Sequence, residues 1–391
     1  MLLDSTDDSI LPPELDGSTG TNRTLGIRPQ IAARTDIEAI RAWLARYADK
    51  PTTLQNYRKE AERLLLWAVV ELHKPLSSLT QEDLLRYQRF LIDPQPAERW
   101  IMPAGYRASR QSPRWRPFSG PLSPTSQRQA LTVLNALFSW LVAAGYLAGN
   151  PLLLLRQRTC PTPPCITRYL TPELWDTVKT TIESLPRETL RDQAHYHRVR
   201  WLFSLLYLCG LRISEVINNA MGSFFHRTGS DGRERWWLEV TGKGDKSRLV
   251  PVSDELLIEL SRYRQFRGLP PLPRRGEPTP LLMPIGDRPL PLTRAAVHLI
   301  VKTVFMRAAD QLRIHQPEQV EQARWLEQAS AHWLRHTAGS RMADGALDLR
   351  YVRDNLGHTT LSTTSRYLHA EDEVRHRETE RRHRLVWKVE E

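Results

Sequence analysis

Four separate stretches in the second half of this 391-residue chain set a polar, chemically active side chain beside a break in the backbone pattern. They are Gly210-Leu211-Arg212-Ile213-Ser214-Glu215, the turn Gly242-Lys243-Gly244, the run His332-Trp333-Leu334-Arg335-His336, and Leu356-Gly357-His358 followed by Arg366-Tyr367-Leu368-His369. Guanidinium, ammonium, imidazole and phenol groups bind anions, carry protons and, as phenolate, attack electrophiles. Taken one at a time, each stretch has an ordinary reading. Arg212 and Glu215 are spaced for an ion pair on a helix face, Lys243 for a solvated hairpin turn, and Tyr367 for a packed phenol. His332 and His336, at i and i+4, can face a zinc ion from one helix, but Trp333 stands where a metalloprotease carries its acid.

The elements that must hold these groups are legible in the pattern of apolar residues and breakers. Thr171 and Pro172 open a helix, and a second apolar helix runs from about His197 to Cys209, where Gly210 breaks it. The run Arg235 to Val252 reads as a β-hairpin, with Trp236, Trp237, Leu238 and Val240 on one side of the Gly-rich turn and Leu249, Val250 and Val252 on the other. A Pro-rich passage from Gly268 to Pro291 precedes further helices.

Ahead of these lies a separate helical region. Ile37, Ile40, Trp43 and Leu44 share one helix face, and Leu54, Tyr57, Leu64, Leu65 and Trp67 continue the pattern beyond Pro51. Thr80 with Asp83 marks another helix start, and Ser123 with Pro124 a third, whose face carries Leu131, Leu134, Phe138, Leu141 and Val142 and which Gly145 ends. Residues Gln95 to Pro121 form a long connection rich in Pro, Arg and Trp that is either disordered or in contact with something. The sequence therefore predicts a disordered tail over 1–33, a helical domain over 34–155, a Pro-rich linker over 156–167 around Cys160 and Cys165, and a second domain over 168–391.

Composition narrows the partner. Against 44 Asp and Glu the chain carries 55 Lys and Arg, a net charge of +11, which suits a polyanion such as nucleic acid. Its apolar stretches are shorter than a membrane span requires, its N-terminus lacks the pattern of a secretory signal, and three cysteines build no disulfide framework. A cytoplasmic protein with no membrane partner is the expectation.

The five motifs occurring together and in order, GLRISE, a hairpin with GKG followed by SRLVP, HWLRH, LGH and RYLH, resemble those of the tyrosine recombinases, the phage-integrase family. The resemblance covers Arg168 to about Ala370, and Tyr367 stands nine residues after His358, the family's spacing. It implies a mainly helical protein: a SAM-like core-binding domain followed by a mostly helical catalytic domain with a small antiparallel sheet. It implies that Arg212 and Arg335 clamp the scissile phosphate, Lys243 protonates the departing 5′-oxygen, His332 assists deprotonation of the nucleophile, and His358 hydrogen-bonds the phosphate. Tyr367 would then be the nucleophile that forms a 3′-phosphotyrosine. Glu215 would hold Arg212 in place. These roles fit the physics: a planar, permanently charged guanidinium offers a fork to two phosphate oxygens, and surrounding cations favour the phenolate. The reaction then needs no metal, cofactor or ATP.

The expected partner is double-stranded DNA, bound by a homotetramer on paired sites, nucleoid-associated in a bacterial cytoplasm and with possible accessory DNA-bending proteins. The tail from Ala370 to Glu391, with Leu385, Val386 and Trp387 among charges, resembles segments that dock on a neighbouring protomer. Two other readings compete: a topoisomerase-like relaxing enzyme of type IB, and a DNA-binding architectural or regulatory protein without catalysis. The intact set Arg212, Lys243, His332, Arg335, His358 and Tyr367 argues against the last.

Overall fold

A computed structural model describes residues 11–24, 30–106, 108–110, 112–154, 168–242, 246–286, 292–345 and 347–358. The expected linker over 156–167, Lys243, Tyr367 and the tail over 370–391 lie outside these residues. The chain divides into two compact units, Met1–Pro161 and Thr162–Glu391.

The first unit is a helical bundle: α1 (Asp36–Ala45), α2 (Pro51–Glu71), α3 (Gln81–Ile92), the single turn α4 (Ala97–Trp100) and α5 (Pro124–Ala143). The starts follow from local chemistry. Thr35 and Glu38 close a capping box on α1, Thr80 and Asp83 close another on α3, and Ser123 caps α5 with Pro124 in its first turn. Pro51, which cannot sit inside a helix without losing a hydrogen bond, begins α2 instead. Ile37, Ile40, Trp43, Leu64, Leu65, Tyr87, Leu134 and Phe138 are buried together in the core.

One sequence expectation changes here, and one open alternative is decided. The stretch before Arg34 was expected to be mobile for want of apolar surface, but residues 11–24 are tied down by polar contacts. Asn22 N donates to Ser77 O at 2.8 Å, Ala148 N donates to Asn22 O at 2.8 Å, and Arg23 bridges Leu147. At the centre is the fully buried Asp36, which accepts from Ser77 N (3.0 Å), Ser77 Oγ (3.2 Å) and Tyr146 Oη (2.9 Å). Gly17, at φ +89°, lies so close that a Cβ would fall 2.2 Å from the Asp36 carboxyl carbon. Buried polar satisfaction, rather than apolar burial, orders this segment. The Gln95 to Pro121 connection touches its own bundle: Trp100 and Phe118 are buried edge-on against Phe90, at centroid distances of 5.0 and 5.7 Å, and Arg63 donates to Pro117 O at 2.8 and 3.0 Å.

The second unit runs α6 (Pro172–Glu183), α7 (Leu190–Leu208), α8 (Ile213–Asn218), β1 (Phe224–Thr228), β2 (Glu234–Thr241), β3 (Ser247–Pro251), α9 (Asp254–Phe266), α10 (Arg294–His315), α11 (Val320–Gln328), α12 (Ala331–Asp344) and α13 (Leu349–Leu356). The sheet is antiparallel in the order β1-β2-β3, with Phe224 opposite Leu238 and Leu238 opposite Val250. These three residues are buried and face the core. The structure adds β1 to the predicted hairpin; the strand is short, with Phe224 in the core and Phe225 buried on the other face beneath Arg227 and Arg275, so it carries no alternation of apolar and polar residues to register as a period of two. Helix α7 starts seven residues before His197, at a capping box of Thr189 and Asp192. The Gly268 to Pro291 passage contributes buried Leu281, Leu282 and Met283, and Trp201 Nε1 donates to Leu281 O at 2.7 Å.

Candidate active site

The site is assembled where α7, α8, β3, α12 and α13 meet. Gly210, at φ +59°, reverses the chain after α7, a conformation a side chain would strain. Two residues on, Arg212 stands at the start of α8, and the Glu215 carboxylate reaches back to it: Oε2 accepts from Arg212 N at 2.9 Å and Oε1 from Arg212 Nη1 at 2.8 Å. The predicted ion pair is thus formed, but Glu215 is buried, 1% exposed, and serves a second arginine. Arg248 on β3 grips it with both terminal nitrogens, Nη1 to Oε1 at 2.8 Å and Nη2 to Oε2 at 2.9 Å. Burial pushes the Glu215 carboxyl up, but the hydrogen bonds and charge of Arg248, joined by bonds from Arg212, outweigh it and bring the group down to about 2. The carboxylate is therefore charged at any physiological pH. The Arg212 side chain is 37% exposed, leaving its outer edge in solvent.

Arg335, 1% exposed on α12, joins two of the other segments. Its Nη1 donates to Gly210 O and its Nη2 to Leu356 O, so one planar guanidinium is fixed between the approach to Arg212 and the approach to His358. Helix α13 ends at Leu356 because Gly357 adopts the left-handed conformation, φ +62°. There Arg248 packs over the glycine: a Cβ would come 2.7 Å from Arg248 Cδ. His358 N then donates to Arg353 O at 3.0 Å.

The histidines share one electrostatic environment. His332 and His336 meet edge to face on α12, ring centroids 4.4 Å apart. Partial burial, then the charges of Arg335, Arg212 and Arg168, hold His332 below the ordinary imidazole range, although its ring also meets solvent. Burial and then Arg335, Arg212, Arg248 and His332 bring His358 down to about 4. Burial, with His332, Arg335, His358 and Arg168, brings His336 down to about 3. Each imidazole is neutral at pH 7.

Arg212, His332, Arg335 and His358 are therefore brought together. Lys243 and Tyr367 lie outside the described residues. Gly242, beside Lys243, closes the base of the β2–β3 turn by donating to Lys246 O at 3.0 Å, and a Cβ on it would come 3.2 Å from Glu215 Oε1. Sequence reasoning missed Arg248. The signal available was a basic residue directly after the predicted turn, on a strand whose next inward residue, Val250, is core.

An arrangement of fixed arginines, neutral imidazoles and one saturated carboxylate is built to receive an anion and to move protons around it. A model of the phage integrase family matches residues 177–374. The tyrosine recombinase XerD of Haemophilus influenzae is 28% identical over 335 residues, covering 85% of this chain and 91% of that protein. The XerD of Neisseria meningitidis serogroup B is 29% identical over 245 residues, 63% of this chain and 72% of that one. Among solved structures, XerH recombinase bound to its difH substrate before cleavage superposes with a TM-score of 0.57 at 16% identity, covering 91% of this chain and 90% of that one. The Tn1549 transposon integrase with transposon right-end DNA gives 0.53 at 16% identity, covering 88% and 99%. The mainly helical fold with a small antiparallel sheet is common to all three structures.

Proposed function

The chain belongs to the phage integrase family, and from that premise we propose how it performs the strand cleavage and religation of a site-specific tyrosine recombinase. The observation that carries the reading is the convergence of Arg212, Arg335, His332 and His358 on one electropositive site through contacts made by separate segments of the fold.

The scissile phosphate sits against the Arg212 and Arg335 guanidiniums, which neutralise the charge that a pentacoordinate transition state adds. The Tyr367 oxygen attacks phosphorus, the bond to the 5′-oxygen breaks, and a 3′-phosphotyrosine forms. The phenolic proton passes to His332, whose neutral imidazole is free to take it, and Lys243 gives a proton to the departing 5′-oxygen. His358 donates to a phosphate oxygen and, beside that anion, its depressed pKa rises. Religation is the reverse attack by a 5′-hydroxyl. One phosphodiester is exchanged for another, so no external energy source enters.

The enzyme acts as a homotetramer on paired sites of double-stranded DNA, with accessory DNA-bending proteins, in integrating, excising or resolving a mobile element or replicon. The apolar Leu385, Val386 and Trp387 in an otherwise charged tail support assembly between protomers. No helix among the described residues is long and apolar enough to cross a membrane.

A randomised library of nicked duplexes supplies the substrate: species captured covalently by the unmutated chain define the site. Plasmids carrying two copies of that site are expected to yield recombined products. Relaxation of supercoils without any exchange between sites would make the enzyme topoisomerase-like instead.

A further inference from the structure

Arg248 is outside the set of groups the reaction uses, yet it touches two of the segments that carry them and lies on the strand that follows a third. Both terminal nitrogens hold Glu215, at 2.8 and 2.9 Å, and Nε donates to Asn355 O at 2.9 Å. Its stem covers Gly357, and its own position on β3 follows directly on the turn that contains Lys243. The side chain is 12% exposed. The Glu215 carboxylate takes both terminal nitrogens and offsets their charge, which leaves the residue badly placed to hold a phosphate itself. Stability alone is a poor reason for such a pair, because desolvating two charges offsets most of their attraction. What a planar fork adds is direction: Glu215 is held at a fixed distance from the main chain that leads into Gly357 and His358.

We propose that Arg248 is a positioning residue for DNA cleavage, tying Glu215 to the Asn355 carbonyl so that the Arg212 guanidinium and the His358 imidazole stay in register about the scissile phosphate. Glu215 transmits the restraint to Arg212 through two hydrogen bonds. Asn355 transmits it to His358, three residues on, across the left-handed Gly357. The inference rests on the recombinase reading above.

The test uses full-length protein and the captured nicked duplex. Arg248→Lys keeps the charge and loses the fork; it is expected to bind the duplex as wild type does and to form the covalent adduct about a hundredfold more slowly, the penalty of a misplaced clamp. Arg248→Gln loses the charge as well. His358 is faced by Arg335, His332 and His336 from α12, by Arg212 ahead of α8 and by Arg248 from β3. Removing one of these cations is expected to raise the His358 pKa, read by an NMR titration of the DNA-free protein, whereas Arg248→Lys leaves it in place. An Arg248→Lys protein that forms adduct at the wild-type rate overturns the proposal, as does a loss of rate no larger than the loss of DNA affinity. If Arg248→Gln fails to fold, the lysine variant decides alone. A wild-type chain that captures no duplex removes the recombinase reading itself, an outcome told apart because it needs no mutation.

Discussion

Arg335 donates a hydrogen bond to the carbonyl oxygen of Leu356, two residues ahead of His358. The same guanidinium reaches Gly210 O, two residues ahead of Arg212. One side chain on α12 therefore sets the spacing between two loops that are far apart in sequence, and each loop ends in a group that the proposed mechanism sets against the phosphate. Buried arginines at 1% exposure are rare unless their donors are satisfied, and here two main-chain carbonyls accept from the terminal nitrogens.

That geometry predicts a large penalty for Arg335→Lys. A lysine ammonium is a point charge on a flexible stem and cannot span the two carbonyls while presenting a fork to phosphate. Single-turnover adduct formation should fall by about a hundredfold or more. Near-normal cleavage by this variant would contradict the clamp.

The histidines give the DNA-free protein a pH dependence of known sign. His358 is held at about 4 and His336 at about 3, against 6.5 for an unperturbed imidazole, chiefly by burial and then by neighbouring cations. Between about pH 6.5 and 4 the unfolded chain thus binds protons that the folded site refuses, and stability is lost as pH falls through that window. Asp36, in the first unit, works the other way: burial pushes its carboxyl from 3.8 up to about 6, so there the folded state binds the extra proton. Thermal unfolding of wild type and His336→Asn, compared at about pH 7 and about pH 5, should show a smaller acid loss in the variant. An identical loss in both proteins would mean the His336 environment is wrongly described.

Much of the site was legible before any coordinates because strong local signals mark its parts. Gly210 and Gly357 stand at left-handed positions that only glycine adopts without strain, Arg212 and His358 lie within two residues of such a break, and the spacing of His332 and His336 allows one helix to carry them with Arg335 between. Caps at Thr80, Ser123 and Thr171 fixed three helix starts to the residue. What stayed hidden depends on contacts between distant segments. Nothing local says that Arg248 will meet Glu215 or that residues 11–24 will find Ser77 and Tyr146, since both are settled by buried polar pairing rather than by periodicity. The short strand β1 escaped for want of enough alternating residues.

The general acid is tested by chemistry on the leaving group. If Lys243 protonates the 5′-oxygen, replacing that bridging oxygen by sulfur, which leaves readily without a proton, should shrink the defect of Lys243→Ala sharply. A role in binding or charge alone predicts the same defect on both substrates. The ratio of the two ratios of single-turnover rates decides, and equal penalties would turn attention to His332 or Lys246.

The central claim is that Tyr367 forms the covalent bond to DNA. Wild type and Tyr367→Phe, incubated with the captured nicked duplex and separated on a denaturing gel, test it most directly. The wild-type protein is expected to give a denaturant-resistant adduct whose phosphotyrosine maps to Tyr367, and Tyr367→Phe to bind the duplex equally well and give none. An adduct formed by the phenylalanine variant would place the nucleophile elsewhere and contradict the account.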